Sequence, residues 1–193
     1  MAKKNTKFFI GEIGIDGGKI KKTFPLEKQI EIFVRQMAYA DQNNLFVHVH
    51  CVYEWDKLFK ILNEGKFDNL IKNRRIILHS FQGKVKHVNK FSQLNCYFSI
   101  SSGCFITKNY EMLKAVPLDK LLFESDAPSM FNKEVYDDES EYNKFYSENN
   151  RVNSPESIVY LNRKYAKLLG IDEDKLREVV KNNVGKIIGE IYK

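Results

Sequence analysis

Apolar positions along this chain change period repeatedly, from runs of adjacent residues to residues spaced three and four apart and back again. The run Phe8-Phe9-Ile10 leads into Gly11-Glu12-Ile13-Gly14-Ile15-Asp16-Gly17-Gly18, which predicts a short strand followed by a loop. From Pro25, the apolar residues Leu26, Ile30, Phe33, Val34, Met37 and Ala38 follow one helix face, with the proline suited to a first turn. Leu45-Phe46-Val47-His48-Val49-His50 is short and nearly continuous, as a strand covered on both faces should be. Trp55, Leu58, Phe59 and Leu62 predict a second helix that stops near Gly65.

The alternation then repeats. Strands are predicted at Arg75 to His79, Tyr97 to Ile100 and Leu121 to Phe123, with helices at Val85 to Leu94 and Tyr110 to Val116. The polar, acidic stretch from Asn132 to Asn153 reads as a long loop. Ser154-Pro155-Glu156 opens a helix that Gly170 ends, and Asp172 to Val180 carries another, with Gly185 and Ile187-Ile188 as a tail. Strands alternating with helices imply an α/β protein with parallel strands and helices outside them.

Composition narrows the class. At 193 residues, the whole chain suits a single domain, and 43% hydrophobic residues with four prolines excludes a disordered or collagen-like protein. A net charge of +6 favours polyanionic partners, and a lysine-rich solvated surface accounts for it equally well. Cys51, Cys96 and Cys104 form neither a disulfide framework nor a Cys-x-x-Cys knuckle, which points to a reducing compartment. The basic start Met1-Ala2-Lys3-Lys4-Asn5-Thr6-Lys7 lacks the apolar region of a signal peptide, and no stretch is long enough to span a membrane. The cytoplasm is the expected location, with the nucleus as the alternative.

Candidate chemistry lies in the placement of ligand-type residues. Glu12, His50, His79 and the pair Glu124 and Asp126 all fall at the C-terminal ends of predicted strands. In an α/β barrel those ends converge on one face, so residues distant in sequence meet there. Taken singly, each has a plain reading: His50 or His79 as a packed histidine, Glu12 as a turn cap, Asp126 as the start of an Asx-turn. Together they form a nitrogen and oxygen ligand set suited to Zn²⁺ or Mn²⁺ and, on the carboxylate side, Mg²⁺. His48 shares a strand face with His50 but lies one pleat deeper, where a hydrogen-bonded interior histidine is expected. His87 is expected at the surface of its helix. Tyr53, Trp55 and Phe81 could stack on bases, although core packing is the commoner role of such aromatics. Lys19, Lys21 and Lys22, with Lys84 and Lys86, flank the same mouth and could attract a phosphate backbone.

These motifs resemble the TatD family of metal-dependent deoxyribonucleases. The resemblance runs from about Phe8 to Ile188 and is carried by Gly11-Glu12-Ile13-Gly14, Val47-His48-Val49-His50-Cys51, Ile77-Leu78-His79-Ser80 and Phe123-Glu124-Ser125-Asp126-Ala127-Pro128, in that order. Tyr97 to Ser101, Arg151-Val152-Asn153-Ser154-Pro155 and Asn183 add to it. It implies a TIM-barrel-like hydrolase that holds one or two divalent metal ions (Mg, Mn or Zn) and cleaves DNA, often from the 3′ end. Glu12 would bridge the metals, His50 and His79 would bind the second, and Asp126 would bind the first and accept a proton from the attacking water. Glu124 would be a supporting carboxylate.

Family members begin with a strand ending in His-x-His and two further strand–helix units, which this sequence lacks. The expectation is a TatD-like domain truncated at its N-terminus, with about five of the eight units of a barrel. Its open sheet edge would be covered by the absent strands or by a second copy of the chain. Val52 replaces an arginine common in relatives, and Gly17 an aromatic. With Glu12, His50 and His79 present and the His-x-His pair absent, one ion is expected at these three residues, with the other lost or weak. The alternative is a catalytically impaired barrel fragment that binds metal, nucleic acid or a partner, and a hydrolase of small cyclic amides or lactones shares the same fold class.

Overall fold

The computed structural model describes residues 9–130, 132–149 and 152–191. The basic start, Phe8 at the head of the first predicted strand, and Arg151 of the Arg-Val-Asn-Ser-Pro motif lie outside these residues.

Five strands form one parallel sheet in the order β1 (Phe9–Asp16), β2 (Phe46–Val52), β3 (Ile76–Leu78), β4 (Tyr97–Ile100) and β5 (Leu121–Phe123). Each strand pairs with its neighbour in sequence, so the chain always winds in one direction. That is the course of a barrel wall, not of a doubly wound sheet, whose strand order reverses at its middle.

β1 is longer than its glycines suggest. Residues 11–16, expected as a loop, continue the strand past a register shift between Ile10 and Ile13. Its glycines serve close approach rather than turning: a Cβ on Gly14 would lie 1.8 Å from the His50 carbonyl oxygen, and one on Gly11 would lie 2.6 Å from His48 Cβ.

Helices cover the outer face. α1 (Leu26–Asn43) buries Gln29, Phe33, Met37 and Ala40, and it ends at Asn44 in the left-handed conformation. α2 (Trp55–Glu64) is followed by a short α3 (Asp68–Lys72) that the sequence pattern does not announce. α4 (Val85–Gln93) and α5 (Tyr110–Ala115) flank the later strands. α6 (Glu139–Glu148) occupies the stretch expected as a loop; Asp138 caps it by accepting the Glu141 amide at 2.8 Å, and it buries Phe145. α7 (Ile158–Leu169) stops at Gly170, as expected, whereas α8 (Glu173–Ile191) runs past 180 through Gly185. None of the described helices is long and apolar enough to cross a membrane.

The two sheet faces differ in chemistry. Val47, Val49, Ile76, Leu78, Phe98, Ile100 and Leu121 pack outward under the helices in the main core. The concave face carries a separate apolar layer of Phe46, Ile77, Tyr97 and Leu122, closed by Ile187 of α8. Toward the C-terminal strand ends this face turns polar, with His48, His50, His79 and Glu124.

Asn183 fixes α8 in place. Its buried amide donates to the carbonyls of Leu118 at 2.7 Å and Leu121 at 2.9 Å, just where β5 begins. Asn183→Ala leaves both carbonyls, that of Leu121 buried, without this donor and is expected to lower unfolding stability by about 1–3 kcal/mol in urea titrations.

Candidate metal centre at the mouth of the sheet

Glu12 lies within the register shift of β1, His50 near the end of β2, and His79 immediately after β3. Glu124 directly follows β5, with Asp126 two residues on. The strand ends bring all five around His79. Glu12 Oε2 is 3.5 Å from His50 Nδ1 and 3.5 Å from His79 Nε2, and donor atoms of the three lie within 4.8 Å of one another. Nitrogen and oxygen donors about 2.1 Å from a tetrahedral cation lie about 3.4 Å apart, close to the two separations from Glu12. Asp126 Oδ2 stands at the edge of the group, 3.9 Å from His79 Nε2.

Glu124 forms the floor beneath them. Its Oε1 accepts the Ser80 amide at 2.7 Å and lies 2.9 Å from His79 Nδ1, while Oε2 lies 3.3 Å from His48 Nε2. With Nδ1 turned to Glu124, His79 keeps Nε2 toward Glu12, the arrangement by which a carboxylate orients a ligating imidazole. His48 thus finds its polar partner in Glu124, as expected for an inward position, although its side chain is 29% exposed on the concave face. Ser80 and Asp126 both take positive φ, 41° and 56°, an uncommon backbone for such residues and one that clusters at functional sites. The Ser80 hydroxyl shares a 2.6 Å hydrogen bond with Ser101, which anchors the turn after His79.

Electrostatics follow from this packing. Burial alone would raise the Glu124 carboxyl, but contacts with His48 and His79 outweigh it and hold the group at about 2. Burial pushes the His79 imidazole down, yet Glu124, Glu12 and Asp126 together raise it above its ordinary value. Asp126 is raised by burial, with the carboxylates of Glu124 and Glu12 acting the same way.

Asp16 is the site residue that sequence reasoning missed. Its Oδ2 lies 3.7 Å from His50 Nε2, on the side of the ring turned away from Glu12. The signal was present, since Glu12, Gly14 and Asp16 fall on one face of a strand. His87 corrects an expectation: it is 5% exposed, its Nδ1 accepts the Lys84 amide at 2.9 Å, and Nε2 faces Asp56 at 3.3 Å. It packs beneath the first turn of α4 alongside Val88 instead of facing solvent. Trp55 and Phe81 are core residues in edge-to-face contact, whereas Tyr53, at the end of β2, is 83% exposed. All three cysteines are free and buried. Lys86 is tied to Asp56 at 2.6 Å, while Lys19, Lys21 and Lys22 stand exposed on a 3-10 turn after β1.

This fold agrees with the comparisons to known proteins. The family model described as TatD related DNase matches residues 1–189. The chain belongs to the TatD family. Among TatD-like relatives, a metal-dependent hydrolase of Bacillus subtilis named YabD is 31% identical over 123 residues, covering 62% of this chain and 46% of the relative. A 3'-5' ssDNA/RNA exonuclease TatD from a Rahnella strain is 24% identical over 183 residues, covering 92% of this chain and 64% of the relative. The crystal structure of YJJV, the TatD homologue of Escherichia coli K12, superposes with a TM-score of 0.73 at 23% identity, covering 91% of this chain and 61% of that one. The chain therefore spans less than two thirds of the length of each of these TatD-like proteins, and the superposition shows a TIM-barrel-like fold.

Glu124 links the site to acid stability. Its carboxyl is lowered to about 2 from the ordinary 4.5, so its contribution is complete above 4.5 and fades as pH falls toward 2. His79 is raised from 6.5, so its contribution is complete below 6.5 and fades as pH climbs through the raised value. Between 4.5 and 6.5 both operate. Urea titrations of metal-free protein at pH 5.5 are expected to show Glu124→Gln less stable than wild type by about 2–3 kcal/mol, with the gap shrinking at pH 3.

Proposed function

We propose that this chain acts as a divalent-metal-dependent hydrolase of DNA phosphodiester bonds, working from strand ends. The observation that carries the reading is the set of 3.5 Å separations joining Glu12, His50 and His79 at the mouth, with Asp126 beside them. These three residues would hold one ion, Mg²⁺, Mn²⁺ or Zn²⁺, and their imidazoles favour the latter two. Such an ion would supply Lewis acidity, offsetting charge on the phosphoryl oxygens and making a water easier to deprotonate.

The chain's own residues do the rest. Asp126 accepts the proton of the attacking water at Oδ2; its raised affinity for protons, from burial and the nearby carboxylates, makes it a better base than an exposed aspartate. Glu124 holds His79 in the required tautomer, and Asp16 faces the outer nitrogen of His50. The 193 residues act as one TatD-like domain, and the three buried, free cysteines support a cytoplasmic address.

The test is degradation of end-labelled single-stranded DNA with Mn²⁺, checked against EDTA. Glu12→Ala and Asp126→Ala are each expected to lower the rate about 10²- to 10⁴-fold. DNA cleavage that survives in both variants would show that the activity arises elsewhere. In calorimetric titration with Mn²⁺, Glu124→Gln is expected to weaken binding about 10- to 100-fold, and His79→Ala to abolish a saturable isotherm. An unchanged isotherm in His79→Ala would remove this histidine from the site.

A further inference from the structure

The connection between β1 and α1 builds a groove that the metal donors do not use. Ile20 and Phe24 are 47% and 39% exposed, and Ile32 of α1 is 38% exposed. These three wall a cavity of about 400 Å³ whose inner end is formed by Glu12, Asp16 and His50. The apolar groove is thus continuous with the candidate metal centre.

Gln29 sets its shape. The buried amide accepts the Asp16 amide through Oε1 at 2.7 Å, and its Nε2 donates to the carbonyls of Phe24 at 2.8 Å and Asp16 at 3.2 Å. These bonds hold Phe24 at a fixed offset from β1 and commit Gln29 to the backbone. The outer walls therefore offer a ligand apolar surface and one aromatic face rather than hydrogen bonds. Exposed Lys19, Lys21 and Lys22 lie on the same turn, so positive charge borders the apolar slot.

A flat apolar slot with an aromatic wall, flanked by cations and opening onto phosphodiester chemistry, suits an unpaired base attached to a polyanionic backbone. Stacking of this kind tolerates any base, because each has a π-face, and lysines track the phosphates. A paired base within a duplex has both faces stacked and cannot enter.

We propose that this groove is a nucleobase subsite, in which Phe24, with Ile20 and Ile32, receives one unpaired base of a single-stranded nucleic acid beside the candidate metal centre at Glu12 and His50. The proposal rests on the hydrolase reading above and adds to it the residue, Phe24, on which the base stacks.

The test measures fluorescence anisotropy of a labelled single-stranded phosphorothioate oligonucleotide in Mn²⁺, with cleavage of the unmodified strand by the same proteins followed separately. Phe24→Ala is expected to weaken binding about 10-fold or more, whereas Phe24→Tyr, which keeps the ring, stays near wild type. In a series carrying one abasic residue at successive positions, one position should weaken wild-type binding to a similar extent, and that penalty should vanish in Phe24→Ala. Calorimetric Mn²⁺ binding should be equal in wild type and Phe24→Ala, which separates loss of the subsite from loss of the fold. Equal affinity of Phe24→Ala and wild type for the intact strand, or an abasic penalty that persists in Phe24→Ala, overturns the subsite. Cleavage in Mn²⁺ together with equal phosphorothioate binding by wild type and Phe24→Ala overturns the subsite and leaves the hydrolase reading in place. Absence of both binding and cleavage in wild type overturns both.

Discussion

The candidate centre depends on how closely β1 can approach β2. Glu12 reaches His50 and His79 because the backbone opposite His50 carries no side chain: the position a Cβ of Gly14 would take is already filled by the His50 carbonyl. Gly11 plays the same part against His48. Any larger residue would push β1 outward, and the 3.5 Å separations that define the donor set would open with it. A backbone constraint thus sets the geometry of the charged side chains.

Above that constraint, the concave face is divided along the strands. Its lower layer is Phe46, Ile77, Tyr97 and Leu122 under Ile187, and a cavity of about 400 Å³ is lined by Ile77, Leu122 and Ile187 together with His48 and Glu124 of the polar cluster. Glu124 lies at the boundary, where low solvent access would penalise its charge if His48, His79 and the Ser80 amide did not offset the cost. One carboxylate therefore orients two imidazoles and the turn that follows β3. Burial raises the Asp126 carboxyl while its partners hold that of Glu124 low, so two acids only two residues apart differ in their hold on a proton.

Much of this was legible in the sequence, for identifiable reasons. The strands announce themselves through short apolar runs, and a parallel sheet brings their C-terminal ends together, which is why Glu12, His50, His79, Glu124 and Asp126 could be named in advance. β1 was read too short because its glycines signal turns in one dimension and close approach in three. α6 was hidden because an exposed helix that buries chiefly Phe145 leaves a weak periodic trace in an acidic stretch. His87 was misplaced although it neighbours Val88 and precedes Phe91 by four residues, the spacing of the buried face of α4. The connection between His79 and Glu124 spans 45 residues and follows no sequence period, so only the fold reveals which carboxylate serves which imidazole.

Cys51 adjoins His50 in sequence, but the pleat sends it to the opposite side of the sheet, into the main core. Burial pushes its thiol up to about 12, and that of Cys104 to about 11, so both stay protonated at neutral pH. A protonated, sequestered sulfur is a poor ligand, which leaves the mouth with nitrogen and oxygen donors alone. Adjacent residues of a single strand thus divide two ligand chemistries, the imidazole of His50 toward the mouth and the thiol of Cys51 into the core.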